Sequence, residues 1–243
     1  MMSGKDTIFS DPLDNVKAFE FDQTVVEVFP DMIERSVPGY KTIIQGISEL
    51  AEKFIQVDSN IYDLGCSLGA ASLSIRQKVP EPSCKIYAID NSSAMVERCR
   101  LIQASYNFDM PIEVIEGDIN QCDMCNASIV VLNFTLQFLP LEDRLPLVKK
   151  IYDSLRPGGI LILSEKLQMQ SEEIDEAIID LHHKFKKRNG YSDMEIAQKR
   201  AAIENVLIPD TREAHNKRFE SAGFSSFETW FQHYNFVSFL AIK

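Results

Sequence analysis

Residues 60–75 read Asn60-Ile-Tyr-Asp-Leu-Gly-Cys-Ser-Leu-Gly-Ala-Ala-Ser-Leu-Ser-Ile75. An apolar run meets a carboxylate, passes two glycines, and restarts with helical spacing. Asn60 to Leu64 is short, apolar and bounded by polar residues, which predicts a strand. From Gly69 the residues Ala70, Leu73, Ser74 and Val79 have the spacing of a helix. Gly65 and Gly69 let the backbone turn sharply and lie bare against a partner. A strand, a glycine turn and a helix N-terminus make a site for an anionic or polar ligand group.

Outward from this turn, strands and helices alternate. Strands are predicted at Lys85–Ile89, Ile112–Ile115, Ala127–Leu132 and Ile160–Ser164, the last after the turn Arg156-Pro157-Gly158-Gly159. Helices are predicted at Tyr40–Phe54, Ser92–Ala104 and Leu141–Leu155. Strands apolar on both faces and separated by helices form a parallel sheet covered on each side. The pattern then changes. Ser171 to Asn189 is a helix acidic at its start and basic at its end, complementing its dipole, and Gly190 stops it. Ser192-Asp-Met-Glu195 has the spacing of a capping box, opening a helix to Glu204. Another helix begins at Pro209-Asp210-Thr211 and ends near Gly223. The aromatic-rich stretches Phe227–Phe231 and Phe236–Ile242 close the chain as an antiparallel hairpin. The expectation is a single α/β domain over residues 1–243 with a mostly parallel seven-stranded sheet. Residues 1–58 form an N-terminal helical extension, and 166–208 a helical insertion after strand five.

The glycine turn narrows the ligand. Gly65-Cys66-Ser67-Leu68-Gly69 is G-x-x-x-G and lacks the middle glycine of the dinucleotide fingerprint. Asp63-Leu-Gly-Cys-Ser-Leu-Gly69 instead resembles the first motif of class I S-adenosylmethionine-dependent methyltransferases, a Rossmann-like fold. Three further stretches resemble that superfamily where its fold would put them. Asp90, in Ile89-Asp-Asn-Ser92, ends strand two and can accept from both ribose hydroxyls. Glu116-Gly-Asp-Ile119 ends strand three, with Asp118 suited to an exocyclic amine and Ile119 to covering an adenine ring. Leu155-Arg-Pro-Gly-Gly159 resembles the turn before strand five. After strand four, Asn133 can hold the amino-acid part of the cofactor and Phe134 can pack on it. That stretch lacks the Asn/Asp-Pro-Pro-Tyr pattern of amino-group methylating enzymes and offers no general base.

Segments outside those motifs are more specific. Ser36-Val-Pro-Gly-Tyr40, Asn189-Gly-Tyr-Ser192, Gln198-Lys-Arg200, Glu204-Asn-Val-Leu207 and Trp230-Phe-Gln232 resemble the bacterial carboxy-S-adenosylmethionine synthase family nearly end to end. The resemblance implies an enzyme that takes S-adenosylmethionine and prephenate to carboxy-S-adenosylmethionine and phenylpyruvate. It implies a homodimer whose product serves a partner enzyme modifying wobble uridine in tRNA. It implies cofactor contacts at Tyr40, Gly65, Cys66, Ser67, Asp90, Asn91, Asp118, Ile119 and Asn133, and Arg200 as the fixed cation for the new carboxylate. A guanidinium suits that role because its planar fork pairs with a carboxylate bidentately. Two other readings stay open: a methyltransferase acting on a small molecule or tRNA, and a non-catalytic S-adenosylmethionine-binding subunit.

Composition bounds the partners. The chain has 243 residues and a formal charge of −11, so no broad nucleic-acid groove and no direct tRNA binding are expected. No apolar run spans a membrane and the N-terminus is polar, which points to the cytoplasm. Five cysteines fit reduced thiols. Cys122-Asp-Met-Cys125 has metal-ligand spacing without a second pair, so no metal is expected. His182 and His183 are expected to be solvated or at a subunit contact. The segment holding Phe19, Phe21, Val25, Val26, Val28 and Phe29 is expected to lid the site or pack against a second subunit.

Overall fold

Ile129, Val131, Ile160 and Ile162 point to one face of the sheet, and Val130, Leu132, Leu161 and Leu163 to the other. Successive side chains on a strand face opposite ways, so runs apolar at every position belong to strands covered on both sides. All eight are fully buried. In the computed structural model, residues 4–13, 15–204 and 206–243 are described. Met1 to Ser3, Asp14 and Asn205, the last within a family-like segment, lie outside them.

Two helices come first, α1 (Gln23–Ser36) and α2 (Tyr40–Phe54). Then follow β1 (Asn60–Leu64), α3 (Ala70–Lys78), β2 (Lys85–Asp90), α4 (Ser93–Ala104), β3 (Ile112–Glu116) and β4 (Ala127–Asn133). After a 3₁₀ turn at Leu136–Phe138 come α5 (Leu141–Ser154), β5 (Leu155–Lys166), α6 (Glu172–Arg188), α7 (Asp193–Ile203) and α8 (Arg212–Ala222). The hairpin β6 (Ser226–His233) and β7 (Phe236–Ile242) ends the chain. The sheet order is β3-β2-β1-β4-β5-β7-β6. The first five strands are parallel, and β7 runs antiparallel to both β5 and β6. The seven-stranded, mostly parallel sheet with its antiparallel hairpin is the one expected from the sequence.

Several strand ends shift by one or two residues, and two larger differences have local reasons. Within the expected helical extension, α1 itself was not delimited, because Pro30 lies inside it and Thr24, Val25, Val26, Val28, Phe29 and Ile33 are β-branched or aromatic. Its start is secured by Asp22, whose carboxylate accepts from the Val25 N–H at 3.0 Å. Strand β5 begins at Leu155, not after the Arg156–Gly159 turn. The β4–β5 ladder pairs Ala127 with Leu155 and resumes at Ile129 with Ile160, so residues 156–159 bulge opposite Ser128, with Gly158 at φ +75°. The capping box at the start of α7 is present in both directions, Ser192 to Glu195 and back.

Strand order reverses between β1 and β4, the point where open α/β sheets place ligands beyond the carboxyl ends of their strands. The residues at those ends are Gly65, Asp90, Asn133 and Lys166.

Candidate functional site

A cavity of about 280 Å³ opens over these strand ends. Its wall has an acidic side, a basic side and an aromatic roof.

The acidic side is built by the glycine turn and the end of β2. Gly65 adopts φ +73°, and a side chain there would strike Thr135. Asp90 holds the turn: its carboxylate accepts the Ser67 N–H at 2.8 Å and the Ser92 N–H at 3.0 Å. Burial raises the Asp90 pKa and those backbone donors oppose the rise. A carboxylate has about four lone-pair sites, so capacity remains for hydroxyls of a ligand. Asp118 is exposed at the rim, accepting the Asn120 N–H at 2.9 Å, beside buried Ile119. Asn133 lines the same cavity, and its Oδ1 is buried with no partner among the described residues. An orphaned acceptor there suits the ammonium of an amino-acid moiety. Ser67 and Phe134 both carry positive φ, +52° and +61°, so two non-glycine residues hold left-handed backbone against the cavity.

Beneath this side, Asp63 accepts both the Ser72 N–H at 3.1 Å and its hydroxyl at 2.6 Å, tying β1 to α3. Burial pushes its pKa up to about 6.

The aromatic roof comes from the N-terminal segment. Phe21 meets Phe19, Phe29 and Phe138 edge to face, at centroid distances of 5.2, 6.2 and 5.5 Å. The Phe21 carbonyl accepts from the Ser92 hydroxyl at 2.6 Å, and the Phe19 N–H donates to the Ala202 carbonyl at 3.0 Å. Within its own chain the segment forms the roof of the cavity. An apolar roof excludes water and strengthens every charge interaction beneath it.

The basic side is the part the sequence did not announce. Lys166 ends β5, Lys186 lies on α6 and Lys199 on α7, and all three line the cavity. Lys199 is 6% exposed and already engaged: Nζ is 3.4 Å from the Asp6 carboxylate and 3.1 Å from the Ser36 hydroxyl. Burial lowers its pKa to about 8, with Asp6 working against the fall. Burial, and then the charges of Lys199, Lys166 and Arg200, lower Lys186 to about 7. Lys166 is lowered by burial and by Arg200, while Asp175 pulls the other way.

His182 corrects an expectation. It is buried, not solvated; its ring contacts Phe236 edge to face, and Nε2 lies 2.8 Å from the Ser36 carbonyl. A carbonyl only accepts, so Nε2 carries the proton. Burial and then Lys186 push its pKa down to about 2, keeping the imidazole neutral. His182 and Lys186 are one turn apart on α6, and that spacing was the available signal. Lys184 and Lys187, by contrast, point outward, Lys184 pairing with Asp180 of the same helix and Lys187 with Asp193 at the start of α7.

Of the residues assigned by resemblance, Gly65, Ser67, Asp90, Asn91, Asp118, Ile119 and Asn133 meet at the cavity. Three do not line it. The Cys66 side chain is buried in a small cluster with Ala88 and Cys99. Tyr40 packs on the core under β1, where burial and then Asp63 raise its hydroxyl pKa. Arg200 is exposed on α7, close enough for its charge to lower Lys166, Lys186 and His183. Among the described residues, no group of three or more His, Cys, Asp and Glu could hold a metal ion, and no helix is long and apolar enough to cross a membrane.

Comparison with known proteins adds sequence and fold. Residues 61–159 match the family model described as a methyltransferase domain. The chain is 59% identical over 241 residues to carboxy-S-adenosyl-L-methionine synthase of Vibrio parahaemolyticus, covering 99% of this chain and 98% of that one. It is 57% identical over 242 residues to the protein of that name from Aliivibrio fischeri, covering both chains fully. Among solved structures, magnesium protoporphyrin IX methyltransferase from Synechocystis superposes with TM-score 0.60 at 13% identity, covering 87% of each chain. Human N-acetylserotonin methyltransferase superposes with TM-score 0.60 at 17% identity, covering 91% of this chain and 55% of that one. At these identities the structures speak to the fold, which is the methyltransferase fold.

Proposed function

The chain belongs to the carboxy-S-adenosyl-L-methionine synthase family, and on that premise we propose that it converts S-adenosylmethionine and prephenate to carboxy-S-adenosylmethionine, phenylpyruvate and water. The observation that carries this reading is the unequal charge of the cavity wall. This pocket offers carboxylates and an orphaned amide on one side and a group of cations on the other.

In this proposal Asp90 accepts from the ribose hydroxyls, Asp118 and Ile119 take the adenine, and Asn133 Oδ1 accepts from the methionine ammonium. Gly65 and Ser67 let the backbone approach, and Asn91 closes the rim. Cys66 and Tyr40 contribute from behind the wall, Cys66 through backbone in the turn and Tyr40 by fixing the floor near Asp63. S-adenosylmethionine supplies a sulfonium methyl acidified by the neighbouring positive sulfur, and prephenate supplies the carboxyl as its ring aromatises. The methyl proton and the departing ring hydroxide leave together as water. Arg200 stands at the rim as the cation for the newly placed carboxylate. A homodimer in the cytoplasm, handing its product to an enzyme that modifies wobble uridine in tRNA, completes the proposal. The charge of −11 supports a protein that makes a small molecule and leaves tRNA to its partner.

The test is to incubate the purified protein with S-adenosylmethionine and prephenate and analyse the nucleoside by mass. A product one carboxyl heavier than S-adenosylmethionine is expected, with phenylpyruvate in equal amount. S-adenosylhomocysteine and a methylated acceptor would replace this reading with the methyltransferase one.

A further inference from the structure

Three cationic side chains line one side of the cavity, and they are not equivalent. Lys199 has a carboxylate partner in Asp6. Lys166 and Lys186 have none: among the described residues neither ammonium forms an ion pair or a side-chain hydrogen bond, and the Lys166 backbone N–H is fixed by Gln137 at 3.0 Å. Both are mostly buried, and each lowers the charge state of its neighbours. Asp175 acts on Lys166 from beyond ion-pair distance, its own Oδ1 accepting the Met169 N–H at 2.9 Å. Bringing two unpaired ammoniums together under an apolar roof is unfavourable for the free protein. Loss of a proton relieves part of that cost, which is why both amines are pushed toward their neutral forms, and a bound anion relieves it with both lysines charged.

S-adenosylmethionine cannot relieve both lysines. It carries one carboxylate, balanced by its own ammonium and by a sulfonium. The wall therefore has room for a ligand with two negative charges. We propose that Lys166 and Lys186 are the subsite for the two carboxylates of the carboxyl donor, selecting a dicarboxylic acid over a monocarboxylic one. The inference rests on the family reading above and names the residues that recognise its second substrate.

The charges also account for direction. The donor enters as a dianion and leaves, after giving up one carboxyl, as a monoanion. The lost carboxylate stays in the cavity on the product nucleoside, still within the field of the lysines. The departing keto acid thus has one contact fewer than the substrate, and release is favoured.

The experiment compares Lys166→Met, Lys186→Met and Lys186→Arg with the unaltered protein. Steady-state rates give KM for prephenate, and calorimetry gives Kd for S-adenosylmethionine. A hydrogen-bonded charge pair removed from each Met variant should raise KM for prephenate at least about tenfold. Kd for S-adenosylmethionine should stay within about twofold, and Lys186→Arg should recover most of the loss. Both Met variants should melt no lower than the unaltered protein, because the lysines are a strain on the fold. Unchanged KM in folded variants would overturn the subsite. Equal losses for prephenate and S-adenosylmethionine would assign the lysines to the cofactor's carboxylate and overturn it too. If the unaltered protein makes no carboxylated nucleoside, the proposed reaction fails separately. Calorimetric binding of prephenate to the protein saturated with S-adenosylhomocysteine still reads the lysines in that case.

Discussion

Asp90 and Lys186 face the same cavity, but the chain specifies them in different ways. Asp90 is held by two short turns, its own and the one ending the adjoining strand. It ends a strand, caps a turn through Ser92, and binds the Ser67 amide of the adjoining strand's turn. Lys186 is held by the fold: β5, α6 and α7 must all be in place before it meets Lys166 and Lys199. Burial dominates on both sides, raising Asp63 with a smaller push from Asp90, and lowering Lys186 with a further push from Lys199, Lys166 and Arg200. Binding capacity carried by two adjoining strand-turn-helix units, each a short motif, can be read locally. Capacity that depends on three distant segments has no local signature.

The largest expected effect lies on the acidic side. Asp90→Ala removes the acceptor for ribose hydroxyls and should weaken S-adenosylmethionine binding by about 1.5–3 kcal/mol, the range for hydrogen bonds to a charged group. That is roughly 10- to 150-fold in Kd. The structure adds a second consequence. The Ser67 and Ser92 amides lose their partner, so the variant should also melt lower. Isothermal calorimetry and thermal unfolding check both. Full affinity in a folded variant would mean that the ribose is held elsewhere and that the acidic side is structural.

The same contrast explains what was legible beforehand. Strand stretches apolar at every position, such as Ile129 to Leu132, belong inside a sheet covered on both faces, so the sheet followed from pattern alone. The glycine turn and the strand-end acids followed because each is a few residues long. Helix α1 was hidden by Pro30, and the length of β5 by a four-residue bulge that looks like a turn. On α6, the run from Lys184 to Arg188 reads as one solvated face, yet it divides. Lys184 and Lys187 point outward to acids, while Lys186 shares the inward face with His182. Only the docking of α6 against Ser36 and Phe236 makes that division, and those residues are far away in the sequence.

Arg200 sharpens the comparison at its border. Read from the sequence, a guanidinium paired in a closed pocket would carry a large share of product affinity. The structure leaves its side chain exposed, and exposed ion pairs are worth up to about 1 kcal/mol. Arg200→Met should therefore cost roughly fivefold in Kd for carboxy-S-adenosylmethionine and leave S-adenosylmethionine unaffected. Titrating both ligands against both proteins decides the matter. A loss shared equally by the two ligands, or no loss for either, withdraws Arg200 from the carboxylate.

The smallest effect is expected two residues before Lys186. Lys184 carries the same charge on the same helix, but its Nζ lies 2.6 Å from Asp180, and both side chains are 61% exposed. Its field reaches the cavity only through solvent, where ions screen charges over about 8 Å at physiological ionic strength. An exposed i,i+4 pair contributes about 0.3–0.5 kcal/mol to the helix. Lys184→Met should accordingly change KM for prephenate by less than about twofold, with little dependence on added salt, while Lys186→Met changes it tenfold or more. Measuring both variants at low and at physiological salt separates contact from field. If Lys184→Met moves KM as far as Lys186→Met, and salt erases both effects, the basic side acts as a diffuse attractor. The distinction between a paired, outward lysine and an unpaired, inward one would then carry no function.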